Sequence, residues 1–201
     1  MDKNKIFTKI IATSLIFSIG VISSSEVMAY TKEETVYSKL DSQGNSYDTV
    51  VSEHIKNTDK EQLLKDMSEL LEITNVNGDE EFKQDGNSLE WQACGNDIYY
   101  QGKINKTLPI TSKITYILDG EEISAKDIAG KSGKVKITIE YKNKDEHIVK
   151  INGKNTKMYT PFVVITGTIL NNTVAKNITI SNGKIVDNGT KTLVAAVTCP
   201  G

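Results

Sequence analysis

The chain has 201 residues, 38% of them hydrophobic and 25% charged, an ordinary globular composition that excludes both a disordered chain and a bundle of membrane spans. Its formal net charge of −2 carries no basic excess, which argues against a nucleic-acid partner. All 24 basic residues are Lys, so a bidentate Arg clamp on phosphate or carboxylate is excluded.

The N-terminus has the order of a targeting signal. Lys3, Lys5 and Lys9 precede an apolar run from Ile10 to Ile22, and Val27-Met28-Ala29 offers a small residue for processing. The run is shorter than the ~18–20 residues of a spanning helix, so a signal peptide over 1–29, cleaved after Ala29, is expected. The product is secreted or held at the cell surface. No Cys follows the run to take a lipid, and the rich use of Lys, Asn and Ile suits an AT-rich bacterial genome. Export permits a disulfide between Cys94 and Cys199, but sequence does not place the two within bridging distance, and two unrelated thiols are the favoured reading.

Beyond the signal, Thr35 to Leu40 and Tyr47 to His54 read as a hairpin around Asp41-Ser-Gln-Gly-Asn45. Thr58 and Glu61 fit a capping box. Leu63, Leu64, Met67, Leu70 and Leu71 then share one helical face, which predicts a helix before Asn77-Gly78. A second hairpin runs from Phe82 to Gln84 and back over Leu89 to Ala93. Strands follow at Ile98 to Lys103 and Pro109 to Leu118. Ser124 with Asp127 caps one helical turn, and Gly130 stops it.

Lys134 to Tyr141 alternates cleanly, with Val135, Ile137, Ile139 and Tyr141 expected on a core face. On that register Ile137→Asp is expected to cost several kcal/mol and Lys136→Asp little. His147 to Ile151 leads into Asn152-Gly153, a hairpin signal. Lys157 to Leu170 is expected as one central strand covered on both faces. Asn177 to Ser181, Lys184 to Val186 and Leu193 to Thr198 complete the strands, the last ending three residues before Gly201. The fold class expected is mainly β: sandwich-like antiparallel sheets with an N-terminal hairpin-plus-helix lobe. The domains expected are the signal peptide 1–29, the lobe 30–78 and a sandwich-like domain 79–201, cut short at its C-terminus. A strand apolar on both faces at that point is expected either as an exposed edge or held inside.

No constellation predicts catalysis. Gly130-Lys131-Ser132 lacks the earlier Gly of a phosphate loop and precedes a strand, so it reads as a tight turn. His54 and His147 have no metal-ligand neighbours at suitable spacing. Asn75-Val-Asn-Gly-Asp-Glu-Glu81 is an acidic turn without the ligand spacing of an EF-hand. Trp91, Tyr99, Tyr100 and Tyr116 could form a sugar-stacking platform, although strand alternation sends some of them to the core. No catalytic, cofactor-binding or metal-binding residue is assigned.

Several segments resemble a known family. Tyr99-Tyr100-Gln101-Gly102, Leu108-Pro109, Tyr116-Ile-Leu118-Asp119-Gly120 and Ile128-Ala-Gly-Lys-Ser-Gly133 are similar to a stretch of large envelope proteins of Firmicutes, loosely grouped with the phage infection protein (Pip/YhgE-like) proteins. Thr35-Val36-Tyr37 with Val50-Val51-Ser52, and Tyr159-Thr-Pro-Phe-Val163, resemble further shared segments. The resemblance covers most of Thr35 to Gly201, and its motifs are turns and strand edges that bring no functional residue. It implies an exported N-terminal β region, then a long helical region, then C-terminal membrane anchoring, which for this chain would lie in a missing C-terminal region. The expected function is a non-catalytic extracellular module of a bacterial cell-envelope protein, in a structural or protein-contact role. The alternative is a module binding cell-wall glycan. The partner is an envelope protein or a cell-wall component.

N-terminal sequencing of the secreted protein is expected to begin at Tyr30. Retention of Met1 in the membrane fraction would contradict cleavage.

Overall fold

The computed structural model describes residues 30–200, so the signal segment expected over 1–29 lies outside the described residues. Among the described residues the fold is mainly β, with several antiparallel sheets and no helix. It comprises two compact units, residues 30–38 with 48–106 and residues 39–47 with 107–200.

The first unit holds two sheets. β1 (Thr31–Leu40), β2 (Ser46–Lys56), β4 (Leu71–Asn75) and β7 (Ile98–Lys103) form one in the order β1-β2-β7-β4; the tip of the β1–β2 hairpin belongs to the second unit. β3 (Leu64–Met67), β5 (Phe82–Asp85) and β6 (Ser88–Trp91) form the other in the order β3-β6-β5. Period-two alternation builds the core. Val51 and Ile55 of β2, Ile98 and Tyr100 of β7, Leu64 of β3, and Leu89 and Trp91 of β6 all point inward and are buried. Each such aliphatic side chain contributes about 1.5–3 kcal/mol through burial. The Trp91 ring lies 4.5 Å from Phe82 and 5.2 Å from Tyr100, centroid to centroid.

The helix expected after Thr58 does not form. Leu64–Met67 is strand β3, paired with Ser88–Trp91, and Leu71–Asn75 is strand β4, paired with β7. The apolar positions suit a helical face, but Met67 and Leu71 end exposed and Asp66 buried, so cross-strand partners override the helical period. No capping box is made either. The buried Asn57 holds this turn: its Oδ1 accepts from Glu61 N at 2.9 Å, and its Nδ2 donates to Glu61 O at 2.9 Å. The expected domain boundary at Gly78 falls inside the first unit, because β4 before it and β7 after it are hydrogen-bonded in one sheet.

β7 must pass close to the chain entering β4. A Cβ on Gly102 would sit 2.7 Å from Leu70 Cβ and 2.8 Å from Leu71 O, so only glycine fits. Beside it the β4–β7 ladder slips between Leu71 and Thr74, with Glu72 at φ 54°, the geometry of a bulge.

The second unit begins with β8 (Ile110–Leu118), β9 (Glu121–Ile123) and β10 (Val135–Asn143), in the order β10-β8-β9. The hairpin tip is tied to β8 by Ile114 N donating to Gln43 O at 2.8 Å and Tyr116 Oη donating to Ser42 O at 2.8 Å. Between β9 and β10, Ser124 and Asp127 make the expected capped turn, and Gly130 has φ 79°. β11 (Glu146–Ile151) and β12 (Lys154–Tyr159) pair around Asn152 (φ 50°) and Gly153 (φ 79°), the left-handed pair of a type I′ turn. β13 (Val164–Asn171), β14 (Lys184–Asp187) and β15 (Lys191–Thr198) form a sheet in the order β13-β15-β14.

Several expectations fail in this unit. The strand expected over Lys157 to Leu170 stops at Tyr159 and resumes at Val164, with Pro161 between, whose missing N–H cannot serve a ladder. Only one face of the resumed strand is covered: Val164 is buried, while Ile165 is 66% exposed. Asn177 to Ser181 is not a strand. Of the two arrangements expected for the last strand, β15 takes the inner one, paired with β13 on one side and β14 on the other. The strand expected over Lys134 to Tyr141 does form, but Ile137 is 46% exposed, so alternation there does not mark a core.

These burials predict an order of mutational sensitivity. Leu89→Ala is expected to cost about 2–5 kcal/mol, and Gly102→Ala about 1–3 kcal/mol through overpacking. Ile137→Asp is expected to cost about 1 kcal/mol or less, because its site is half open to solvent. Urea unfolding of the three variants checks the order.

Candidate functional site

Two carboxylates break the apolar alternation of the first unit. β2 reads Val51-Ser-Glu-His-Ile55, which puts Glu53 inward between two core residues, and Glu53 is 3% exposed. β3 reads Leu64-Lys-Asp-Met67, which puts Asp66 inward, and it is 4% exposed. Isolated buried carboxylates are costly, so partners are required.

The partners are close. Lys32 of β1 brings its Nζ to 2.9 Å from Asp66 Oδ2, 3.1 Å from Asp66 Oδ1 and 3.3 Å from Glu53 Oε1. Tyr100, opposite Glu53 in the β2–β7 register, donates from Oη to Asp66 Oδ2 at 2.5 Å. Tyr30 donates to the Lys65 carbonyl at 2.6 Å and lies 3.4 Å from Asp66 Oδ1. The Lys32 ammonium sits 5.6 Å from the Tyr100 ring centroid. Glu53 Oε2 and Trp91 Nε1 are buried without a hydrogen-bond partner. One ammonium therefore serves two carboxylates, and one carboxylate oxygen is left unserved.

The electrostatics follow from that count. Burial pushes the Glu53 carboxyl up to about 7, against the pull of Lys32, with Glu34 and Asp66 adding to the rise. Burial and the Asp66 charge hold the Tyr30 and Tyr100 hydroxyls well above the ordinary phenol range, so both stay protonated donors. A largely buried cluster with a proton-holding acid, an amine and a second acid can move protons and can bring a nucleophile against a carboxyl.

The residues weighed from sequence lie elsewhere. Trp91 and Tyr100 are core residues, which removes two of the four rings from any exposed platform. Tyr99 lies on the opposite strand face, stacked on His54 at 4.1 Å. His54 bridges Asp97 at 3.2 Å and Glu33 at 3.6 Å. His147 lies on β11, 3.0 Å from Thr160 Oγ1 and 3.2 Å from Asp145. Gly130-Lys131-Ser132 is the tail of the capped turn. In the acidic turn, Glu80 receives Asn96 at 2.9 Å and Asn75 at 3.2 Å. Its carboxyl is lowered by its own backbone N–H and by Asn96. Cys94 and Cys199 are both free and exposed. No group of three or more His, Cys, Asp or Glu among the described residues is placed to hold a metal ion, and no helix among them is long and apolar enough to cross a membrane.

One shallow depression of about 360 Å³ lies in the second unit, lined by Asn172, Lys176, Asn177, Ile185, Asp187 and Thr192 among others. Three of its polar groups bond one another, with Asn172 Nδ2 donating to Asp187 Oδ1 and Thr192 Oγ1 donating to Asn172 Oδ1, each at 2.8 Å.

Sequence reasoning missed the Lys32–Glu53–Asp66 cluster. The signal for Glu53 was present, since an acid occupied an inward phase between Val51 and Ile55. Asp66 was hidden by the helical reading, which did not count it among the inward residues.

The raised Glu53 carboxyl makes stability pH-dependent with a definite sign. The folded state keeps this proton up to about pH 7, whereas the ordinary value is 4.5, so between them the folded state binds more protons than the unfolded one. The Glu53 contribution is present in full below the lower value and is lost as pH rises through the upper one. Glu53→Gln, which keeps a neutral side chain at every pH, is expected to flatten that fall. Thermal denaturation of both proteins across the window checks it, and parallel profiles would contradict the assignment.

Compared with protein-family models, with curated proteins and with solved structures, the chain matches none.

Proposed function

We propose that the chain is a non-catalytic extracellular module of a bacterial cell-envelope protein, related to the Pip/YhgE-like proteins and serving structure or protein contact. Export by the segment 1–29 and anchoring through a region outside this β part belong to the same reading. The observation that carries it is an apolar sheet face. On β13, Ile165 and Ile169 stand opposite Val197 and Leu193 of β15, and Val186 of β14 stands opposite Leu193. All five side chains are exposed and share one face. A contiguous apolar face on a soluble module marks a contact surface.

A sandwich-like arrangement of the sheets within the second unit is part of the reading. The 2.6 Å hydrogen bond between Tyr141 Oη of β10 and Thr166 Oγ1 of β13, on the covered face, supports it. The glycan-binding alternative has less support, because two of the four candidate rings lie in the core.

The mature chain is expected to self-associate with rising concentration, and an Ile169→Lys, Val197→Lys double variant to scatter as a monomer with an unchanged Tm. Light scattering and thermal unfolding check both. A wild-type monomer at every concentration would overturn contact through this face. Sedimentation of both proteins with purified cell wall would favour the glycan reading.

A further inference from the structure

The Lys32–Glu53–Asp66 cluster is more than an ion pair. The geometry points to a covalent modification: an intramolecular amide between Lys32 Nζ and the Asp66 side-chain carboxyl, formed by the protein itself with Glu53 as the proton shuttle.

The reactants are already in place. The nitrogen lies 2.9 and 3.1 Å from the two Asp66 oxygens, which brings it within van der Waals distance of the carbon that joins them. Two groups held this way react as if at very high local concentration. In water an ammonium and a carboxylate stay ionised and do not condense. Here Val51, Leu89, Trp91 and Tyr100 surround the site, Asp66 and Glu53 are buried, and the Lys32 side chain is only 25% exposed. Burial of the two acids also limits the access of water for the reverse reaction, hydrolysis.

The remaining groups have matching roles. Glu53 Oε1, 3.3 Å from Nζ, takes a proton from the ammonium, and the neutral amine attacks Asp66 Cγ. A C–N bond forms. Tyr100 Oη, 2.5 Å from Oδ2, donates to the oxygen that becomes the amide carbonyl and stabilises the charge that gathers there. Oδ1 is the leaving oxygen. Its C–O bond breaks, and it departs as water with two protons that began on Nζ, at least one of them passed on by Glu53. One amide and one water replace one ammonium and one carboxylate, charge is conserved, and Glu53 ends as it began. Its carboxyl, raised by burial to about 7, can both accept and return a proton near neutrality. An ion pair alone has no need of a second buried acid with an unpartnered oxygen, whereas a shuttle does.

The product would tie β1 to β3 and so link the two sheets of the first unit by a bond that neither reductant nor pH removes. It would serve a mechanical role in an exported module, but it stands on the cluster alone and does not depend on the reading of the contact face.

The test is the mass of the secreted protein under denaturing conditions. The wild-type chain is expected to be lighter than its sequence by one water. Proteolysis should yield a branched peptide joining the segments that carry Lys32 and Asp66, with no cleavage after Lys32. Lys32→Ala and Glu53→Ala should have full sequence mass. Asp66→Asn should lose one ammonia in place of one water, which no structural role of the residue would produce. Because mass is read on denatured chains, poor folding of a variant does not obscure the wild-type result. Full sequence mass for folded wild type held at neutral pH overturns the proposal. So does a water loss that maps elsewhere, such as Asp119-Gly120.

Discussion

Two acids and one amine share the interior of the first unit, and its architecture is arranged around that imbalance. Asp66 is the best served, with Lys32 at 2.9 Å and Tyr100 at 2.5 Å on the same oxygen. Glu53 receives only one contact, at 3.3 Å, and keeps a proton to higher pH instead. Breaking a buried cluster of this kind leaves an uncompensated charge, which costs more than the intact cluster contributes. The cluster also draws on β1, β2, β3 and β7 at once.

The aromatic packing fits the same constraint. Tyr100 has two duties on one side chain, its ring against Trp91 and its hydroxyl on Asp66. Glycine at 102, two residues along the same strand face, lets β7 approach Leu70 and Leu71 closely. Tyr100-Gln101-Gly102 is thus a packing unit that also turns the Tyr100 hydroxyl onto Asp66.

The second unit follows another logic. Its buried residues are few, among them Ile110, Ile114, Ile128, Phe162 and Val164, and its strands keep apolar side chains on the open face. Loops are held by local side-chain bonds, as where Asn188 Oδ1 accepts from Lys191 N at 2.8 Å and Asp187 Oδ1 from Gly189 N at 2.7 Å. Asp187 is lowered first by that Gly189 N–H and then by Asn172. Turn chemistry therefore sets the path of the chain, while burial contributes less than in the first unit.

The sequence by itself determined the β class and most hairpins, because turn residues act locally. Asn152-Gly153 needs no distant partner to favour positive φ, and β7 begins at Ile98 and ends at Lys103 as its alternation requires. Only the tertiary structure decided for strand over helix at Leu64 to Leu71, since the local apolar period is helical and the partners that override it lie at Ser88–Trp91 and in β7. It also decided which alternating faces are covered. Ile137 and Ile55 look alike in sequence, yet one is half exposed and the other fully buried. Alternation reports that two faces differ and not what lies against either. The cluster was decided there too, because Lys32, Glu53 and Asp66 stand far apart in the chain, and only strand pairing brings an amine within reach of two acids.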